Sequence, residues 1–218
     1  MCRSISRVAL CLALMALVGL TGAYAARATD PLTTEGVLQA ETSLGDLVAD
    51  SLREAGSAQA ALVNATQFKP GAVPAGKVTG ADVAALLTNP GRPWVVSKIT
   101  GDCLKAALER ALSRVPSDSA HFLQVSGLKV TYDPEATPGT RVTNLRIGDQ
   151  PVQSKTEYRI AMPEDLAKGG SGYFTIPCFT KDSIQPGANG TLAEAITAYV
   201  DAHATLSYGT LDRIVTKP

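Results

Sequence analysis

Halfway along this chain the spacing of the apolar residues changes, and that change limits the available folds more than any other feature. AETSLGDLVADSLREAG (Ala40–Gly56) sets Leu44, Leu47, Val48 and Leu52 on one helical face, with Thr42 or Ser43 as N-cap and Gly56 as the stop. AALVN (Ala60–Asn64) reads as a short buried strand, followed by the loop TQFKPGAVPAGKVT and a small helix over Ala81–Leu87. The strand WVVSKIT (Trp94–Thr100) runs into TGDCLKAALERALSRV, where Thr100 caps and Leu104, Ala107, Leu108, Ala111, Leu112 and Val115 form the buried stripe. Beyond residue 120 the period falls to that of strands. FLQVSG, LKVTYD, RVTNLRI and EYRIAM are separated by turn residues such as Asp133-Pro134 and Gly148-Asp149, and are predicted as hairpins. TLAEAITAYVDAHA (Thr191–Ala204) adds a last helix and LDRIVT a terminal strand. This order predicts an α+β fold, a mixed sheet with flanking helices.

The N-terminus reads as a separate, removable segment. Arg3 and Arg7 precede an apolar run from Val8 to Leu20 and the small-residue site Ala23-Tyr24-Ala25, the pattern of a signal peptide over residues 1–25. The run is shorter than the roughly 20 residues a membrane-spanning helix needs. Leu10 precedes Cys11, where a lipoprotein signal carries Gly or Ala, so lipidation is not expected. The expectation is a secreted or periplasmic chain, residues 26–218 forming one domain, with no membrane association after cleavage. Two of the 20 basic residues and none of the 20 acidic ones lie in the leader, which leaves a net charge of −2. A weakly acidic, aromatic-poor chain lacks the basic stripe and stacking platforms that nucleic-acid binding requires. Of four cysteines, Cys103 and Cys178 lie outside the leader. In an oxidising compartment they could pair; the alternative is two separate thiols, one on a helix face and one in a loop.

AKGGSGYF (Ala167–Phe174) is the stretch that raises the question of a ligand. Three glycines in four positions let backbone approach a bound group closely, and they also suit an ordinary tight turn. The two histidines, His121 and His203, are far apart in sequence, and neither sits in a dense run of carboxylates and imidazoles. Each reads as a structural residue, and no metal or cofactor is called for.

ETSLGDLVADSLREA, AALVNA, KITGDCLKAALERALS, FLQVSGLKVTYDPEATPGTRV and LAKGGSGY, taken in order, resemble the C-terminal domain of the 5'-nucleotidase family from about Glu41 to beyond Phe174. In that family the domain is the second half of a secreted enzyme whose first half, a metallophosphoesterase, holds two metal ions. The resemblance implies a stand-alone lid that supplies a nucleoside pocket and no catalytic residue of its own. It also implies a base stacked between two phenylalanines, one in an LPFGN-like loop and one before a GGDGY loop. The matching positions here are Pro90 and Asp165, neither aromatic. Ser171 stands for the aspartate of GGDGY, the arginine of an NAGGIR-like loop is Lys69 or lost, and Ser43 stands for the asparagine of ETNLG. A lysine does not reproduce the planar fork of an arginine.

The site expected from this resemblance comprises Asn64, Lys69, Asp165, Gly169, Gly170, Ser171 and Tyr173. Trp94, Phe68 and Phe174 are the aromatics able to supply a stacking face from shifted positions; the alternative is that Trp94 and Phe174 fill core and Phe68 caps a loop. Arg92 and Lys69 are available to an anion. Three functions follow as expectations: a non-catalytic domain that binds a small nucleotide-like ligand, the substrate-binding half of a split nucleotidase acting with a separate metallophosphoesterase chain, or a scaffold for protein contact.

Overall fold

The computed structural model describes residues 25–218, apart from the side chains at 188 and 189, so the expected signal peptide lies outside the described residues except for Ala25. In chain order the strands and helices are β1 (Ala26–Ala28), β2 (Leu32–Thr33), α1 (Ser43–Ala55), β3 (Ala60–Asn64), β4 (Ala72–Val73), β5 (Gly76–Val78), α2 (Gly80–Ala84), β6 (Pro93–Thr100) and α3 (Gly101–Leu112). Then follow β7 (Leu123–Ser126), β8 (Leu128–Tyr132), β9 (Val142–Ile147), β10 (Gln150–Pro151), β11 (Glu157–Pro163), α4 (Glu164–Ala167), β12 (Ile184–Thr191), α5 (Leu192–Ala202), β13 (Thr205–Leu206) and β14 (Ile214–Thr216). Among the described residues no helix is long and apolar enough to cross a membrane.

A five-stranded mixed sheet, β12-β6-β11-β3-β7, forms the centre. Within it β11 and β3 are parallel, with Ile160 opposite Ala60, and the other pairs are antiparallel. Alternate residues of each strand feed different cores. Leu62, Val95, Ile99, Ile160 and Met162 join α3 and the β8–β9 ribbon on one face. Val63, Trp94, Val96 and Ala161 join α1 and α5 on the other. Burial on both faces is why these strands read as continuous apolar runs.

The three long helices begin on threonine caps, two of them, Thr42 and Thr100, among those expected from sequence. Thr42, Thr100 and Thr191 accept from the backbone N–H of Gly45, Cys103 and Glu194 respectively, and the Glu194 carboxylate in turn accepts from the Thr191 N–H.

The expected run of hairpins is only partly formed. β8, β9 and β10 are a meander, with β14 added parallel to β8. FLQVSG and LKVTYD, in contrast, do not pair, because β7 lies in the central sheet against β3 while β8 opens the second sheet. The corner between them is Gly127, at φ +70°, where an added Cβ would stand 2.4 Å from the Gln59 carbonyl oxygen. EYRIAM likewise leaves the meander and inserts between β6 and β3. Two further elements carry no pattern signal: β1, which pairs with β13 and β5, and β12, whose IQPGANGT sequence reads as loop.

The C-terminal strand is tied down by charge. Arg213 forms a two-pronged pair with Asp50, both N···O distances being 2.9 Å, and its Nε lies 3.2 Å from Asp46 Oδ2. The backbone N–H groups of Arg213 and Ile214 donate to Glu41 Oε2 at 2.9 and 2.8 Å. Two carboxylates thus face one guanidinium, and a third, Glu41, holds the backbone beside it. Burial, partly opposed by the Arg213 charge and reinforced by Glu41 and Asp50, pushes the Asp46 carboxyl up to about 9.

Candidate functional site

The last residue of β3 is Asn64, a fully buried polar side chain at the end of an otherwise apolar strand. Its Nδ2 donates to Thr66 Oγ1 and, at 2.8 Å, to Ser171 Oγ. Its Oδ1 accepts from Gln67 Nε2 at 3.2 Å. Gln67, also buried, reaches Asp165 Oδ2 at 3.4 Å through the same nitrogen. Arg92 Nη1 meets that oxygen at 2.8 Å. Six side chains from β3, the segment after it, the lead-in to β6, α4 and the glycine loop therefore form one hydrogen-bonded cluster. Gln67 Oε1, Arg92 Nε and Asp165 Oδ1 are buried within it and have no partner among the described residues. A buried polar atom without a partner costs free energy, so these three mark where a further donor or acceptor would be stabilising.

The loop geometry follows from the backbone. Gly169 and Gly172 take φ of +85° and +81°, and Ser171, which lies between them, takes +52°. At Gly170 an added Cβ would stand 2.7 Å from the Asp165 carbonyl oxygen, and at Gly172 2.6 Å from His121 Cε1. The glycines are thus required by close packing of the loop on the protein itself. Ser171 is the exception, an L-residue held in the left-handed region. Its Oγ accepts from Asn64, and its carbonyl lies 2.6 Å from His121 Nδ1.

His121 joins the loop to α3. Its Nε2 stands 3.0 Å from Arg110 Nη2. A guanidinium only donates and a carbonyl only accepts, so Nε2 carries the lone pair and Nδ1 the proton. The expectation that His121 is structural understated its place, since it sets the orientation of the Ser171 peptide. His203 is remote: its ring stacks on Tyr199 at 4.0 Å between centroids.

Of the expected site residues, Asn64, Asp165 and Ser171 come together, with Gly169 and Gly170 beside them. Lys69 does not join the cluster; its Nζ donates to the Ala85 carbonyl at 3.1 Å. Tyr173 is fully buried, donating to the His121 carbonyl, and burial pushes its phenol well above the usual range. Trp94 and Phe68 are buried in the core beside α1 and α5, so neither offers a stacking face; Phe68 is core rather than a loop cap. Phe174, in contrast to a core role, is 77 % exposed. Thr66 and Gln67 were not expected; the signal that could have found them is the polar run NATQ directly after a buried strand. Cys103 and Cys178 form a disulfide that ties α3 to the segment after the loop, which decides between the two readings of these residues. Among the described residues no three His, Cys, Asp or Glu side chains group as metal ligands.

The family model described as "5'-nucleotidase, C-terminal domain" matches residues 24–180. The chain belongs to this family. Among curated relatives of this 5'-nucleotidase C-terminal domain, the trifunctional nucleotide phosphoesterase protein YfkN of Bacillus subtilis (strain 168) is 32% identical over 148 residues, covering 64% of this chain and 10% of the relative. An apyrase of Aedes albopictus is 26% identical over 195 residues, 85% of this chain and 33% of the relative. The crystal structure of a 5'-nucleotidase precursor from Thermus thermophilus superposes with a TM-score of 0.75 at 26% identity, over 88% of this chain and 39% of that one. The α+β fold expected from the sequence is the fold of the C-terminal portion of these enzymes. The present domain spans between a tenth and about two fifths of the proteins it matches.

Proposed function

We propose that these residues form an exported ligand-binding domain that holds a small nucleotide-like molecule at the Gly169–Tyr173 loop and does not by itself break a phosphate ester. The observation that carries the reading is the cluster of Asn64, Gln67, Arg92, Asp165 and Ser171, with two fully buried amides, three unpartnered buried polar atoms and a strained serine. Strain and unsatisfied polarity are costs that a structural turn has no need to carry. Export is supported by the leader pattern of residues 1–25 and by the Cys103–Cys178 disulfide, a linkage of oxidising compartments. The missing ring pair shifts the chemistry: Asp165, at one of the two stacking positions, is ion-paired to Arg92, so the slot grips by hydrogen bonds rather than by stacking. The expected outcome of calorimetry against nucleosides, nucleotides and sugar nucleotides is at least one saturable binder that Asp165→Ala weakens, with no phosphate released. Silence across the panel, or turnover by the purified chain alone, would overturn it.

A second reading is favoured by the family to which the domain belongs, whose matched relatives include a nucleotide phosphoesterase and a 5'-nucleotidase precursor. A separate metallophosphoesterase chain docks on this domain and the pair acts as a nucleotidase. It requires phosphate release only when both chains and a divalent metal are present.

A further inference from the structure

The glycine loop ends on an aromatic residue that the polar cluster leaves unused. Phe174 is the most exposed large apolar side chain among the described residues. It borders a cleft of about 530 Å³ lined by Lys168, Phe174, Phe179, Thr180 and Lys181, none of which belongs to the Asn64–Asp165–Ser171 cluster.

Both walls of this cleft are held in place. Phe179 is buried, its ring 5.3 Å from that of Tyr173, and its neighbour Cys178 is bonded to Cys103 on α3. On the other side the backbone of Phe174 closes on Gly169, where an added Cβ would stand 2.7 Å from the Phe174 Cα. An aromatic ring on a braced backbone gives up little freedom when a second ring covers it.

The lining also has a sign. Two ammonium groups border the cleft and no carboxylate lines it. Lys168 shares its charge with Glu164 at 2.8 Å, whereas Lys181 pairs with no carboxylate among the described residues. A flat apolar face beside an unpaired cation matches a flat ring that carries a negative group; an aliphatic anion would meet only the charge, and a neutral ring only the face. We infer that this cleft is a second binding site, separate from the polar cluster, that takes a planar aromatic anion, its ring on Phe174 and its charge at Lys181.

Isothermal titration of the chain with AMP, adenosine and ribose 5-phosphate tests it. AMP, which has both ring and charge, is expected to bind about tenfold or more tighter than either of the others, a factor of about 1.4 kcal/mol. Phe174→Ala and Lys181→Gln should each weaken AMP severalfold without lowering the melting temperature, since both side chains are exposed. AMP binding that survives Phe174→Ala but is lost in Asp165→Ala puts the ligand in the polar cluster; it overturns this inference and leaves the reading above intact. AMP binding no tighter than that of ribose 5-phosphate, or no saturable binding of any of the three, overturns the inference whatever other ligands the cluster takes.

Discussion

Two regions of this molecule gather polar side chains around one arginine, and they resolve the burden differently. At the C-terminal strand Arg213 faces Asp46 and Asp50, with Glu41 on its backbone N–H; at the loop Arg92 faces Asp165 alone, amid amides and hydroxyls. Both contain buried polar atoms without partners. At the first, these are Glu41 Oε1 and both Asp46 oxygens; one proton on Asp46, directed to Glu41, joins an oxygen of each, and Arg213 Nε lies 3.2 Å from Asp46 Oδ2. At the second, they are two acceptors and one donor, Gln67 Oε1, Asp165 Oδ1 and Arg92 Nε, which a single proton does not satisfy. The first cluster is complete with its own atoms. The second keeps three polar atoms without a partner among the described residues, which is the physical difference between the two clusters.

Removing the central cation should separate the two most sharply. Arg213→Met leaves Asp50 without its two-pronged partner and Asp46 without a neighbouring cation, so chemical denaturation should show a loss of about 3–5 kcal/mol. A loss under about 1 kcal/mol would mean that this cluster is no clamp and the comparison falls.

Asp46 gives the next largest effect, and it depends on pH. Its pKa is raised from 3.8 to about 9 on folding, so its contribution to stability is whole below about pH 4 and is lost as pH rises through about 9. Asp46→Asn keeps the neutral form at every pH. Thermal melts should find variant and parent similar in acid and the variant the more stable above pH 9; a parent with no decline between pH 5 and 10 would show that Arg213 keeps Asp46 ionised.

The smallest effect belongs to the loop. The Arg92–Asp165 pair is about one-third exposed, at 29% and 33%, so Arg92→Gln should change stability by about 1 kcal/mol or less. The same substitution should weaken any ligand of the cluster severalfold by calorimetry. Large destabilisation without altered binding would assign this arginine, too, to structure.

The elements that have a pattern of their own were legible from sequence. The caps Thr42 and Thr100 announce two helices, the run from Thr191 a third, and Ala60–Asn64 and Trp94–Thr100 their strands. Pairing was legible only in part: LKVTYD and RVTNLRI do pair as β8 and β9, but alternation specifies a face and never a partner, and FLQVSG and LKVTYD look like a hairpin until the Gly127 corner sends them to different sheets. β12 was illegible for the opposite reason, since its register against β6 breaks between Ile184 and Asn189 and its Pro and Gly residues have no strand signature. At the site, Asn64, Asp165 and Ser171 could be placed through the family resemblance. Arg92 was named only as a cation open to an anion and Gln67 not at all, because what makes them part of it is a shared oxygen of Asp165, a fact of three-dimensional proximity alone.

The covalent link between residues 103 and 178 bears on when the loop reaches its final form. Thiols in a reducing cytosol stay apart, so newly made chains there lack the tether that holds Phe179 and its neighbours against the central helix face. Oxidation supplies it afterwards. The rigidity of the segment around Phe179 thus depends on the redox state of its surroundings, and a chain kept in reductant is the right material for asking how much of that rigidity the disulfide supplies.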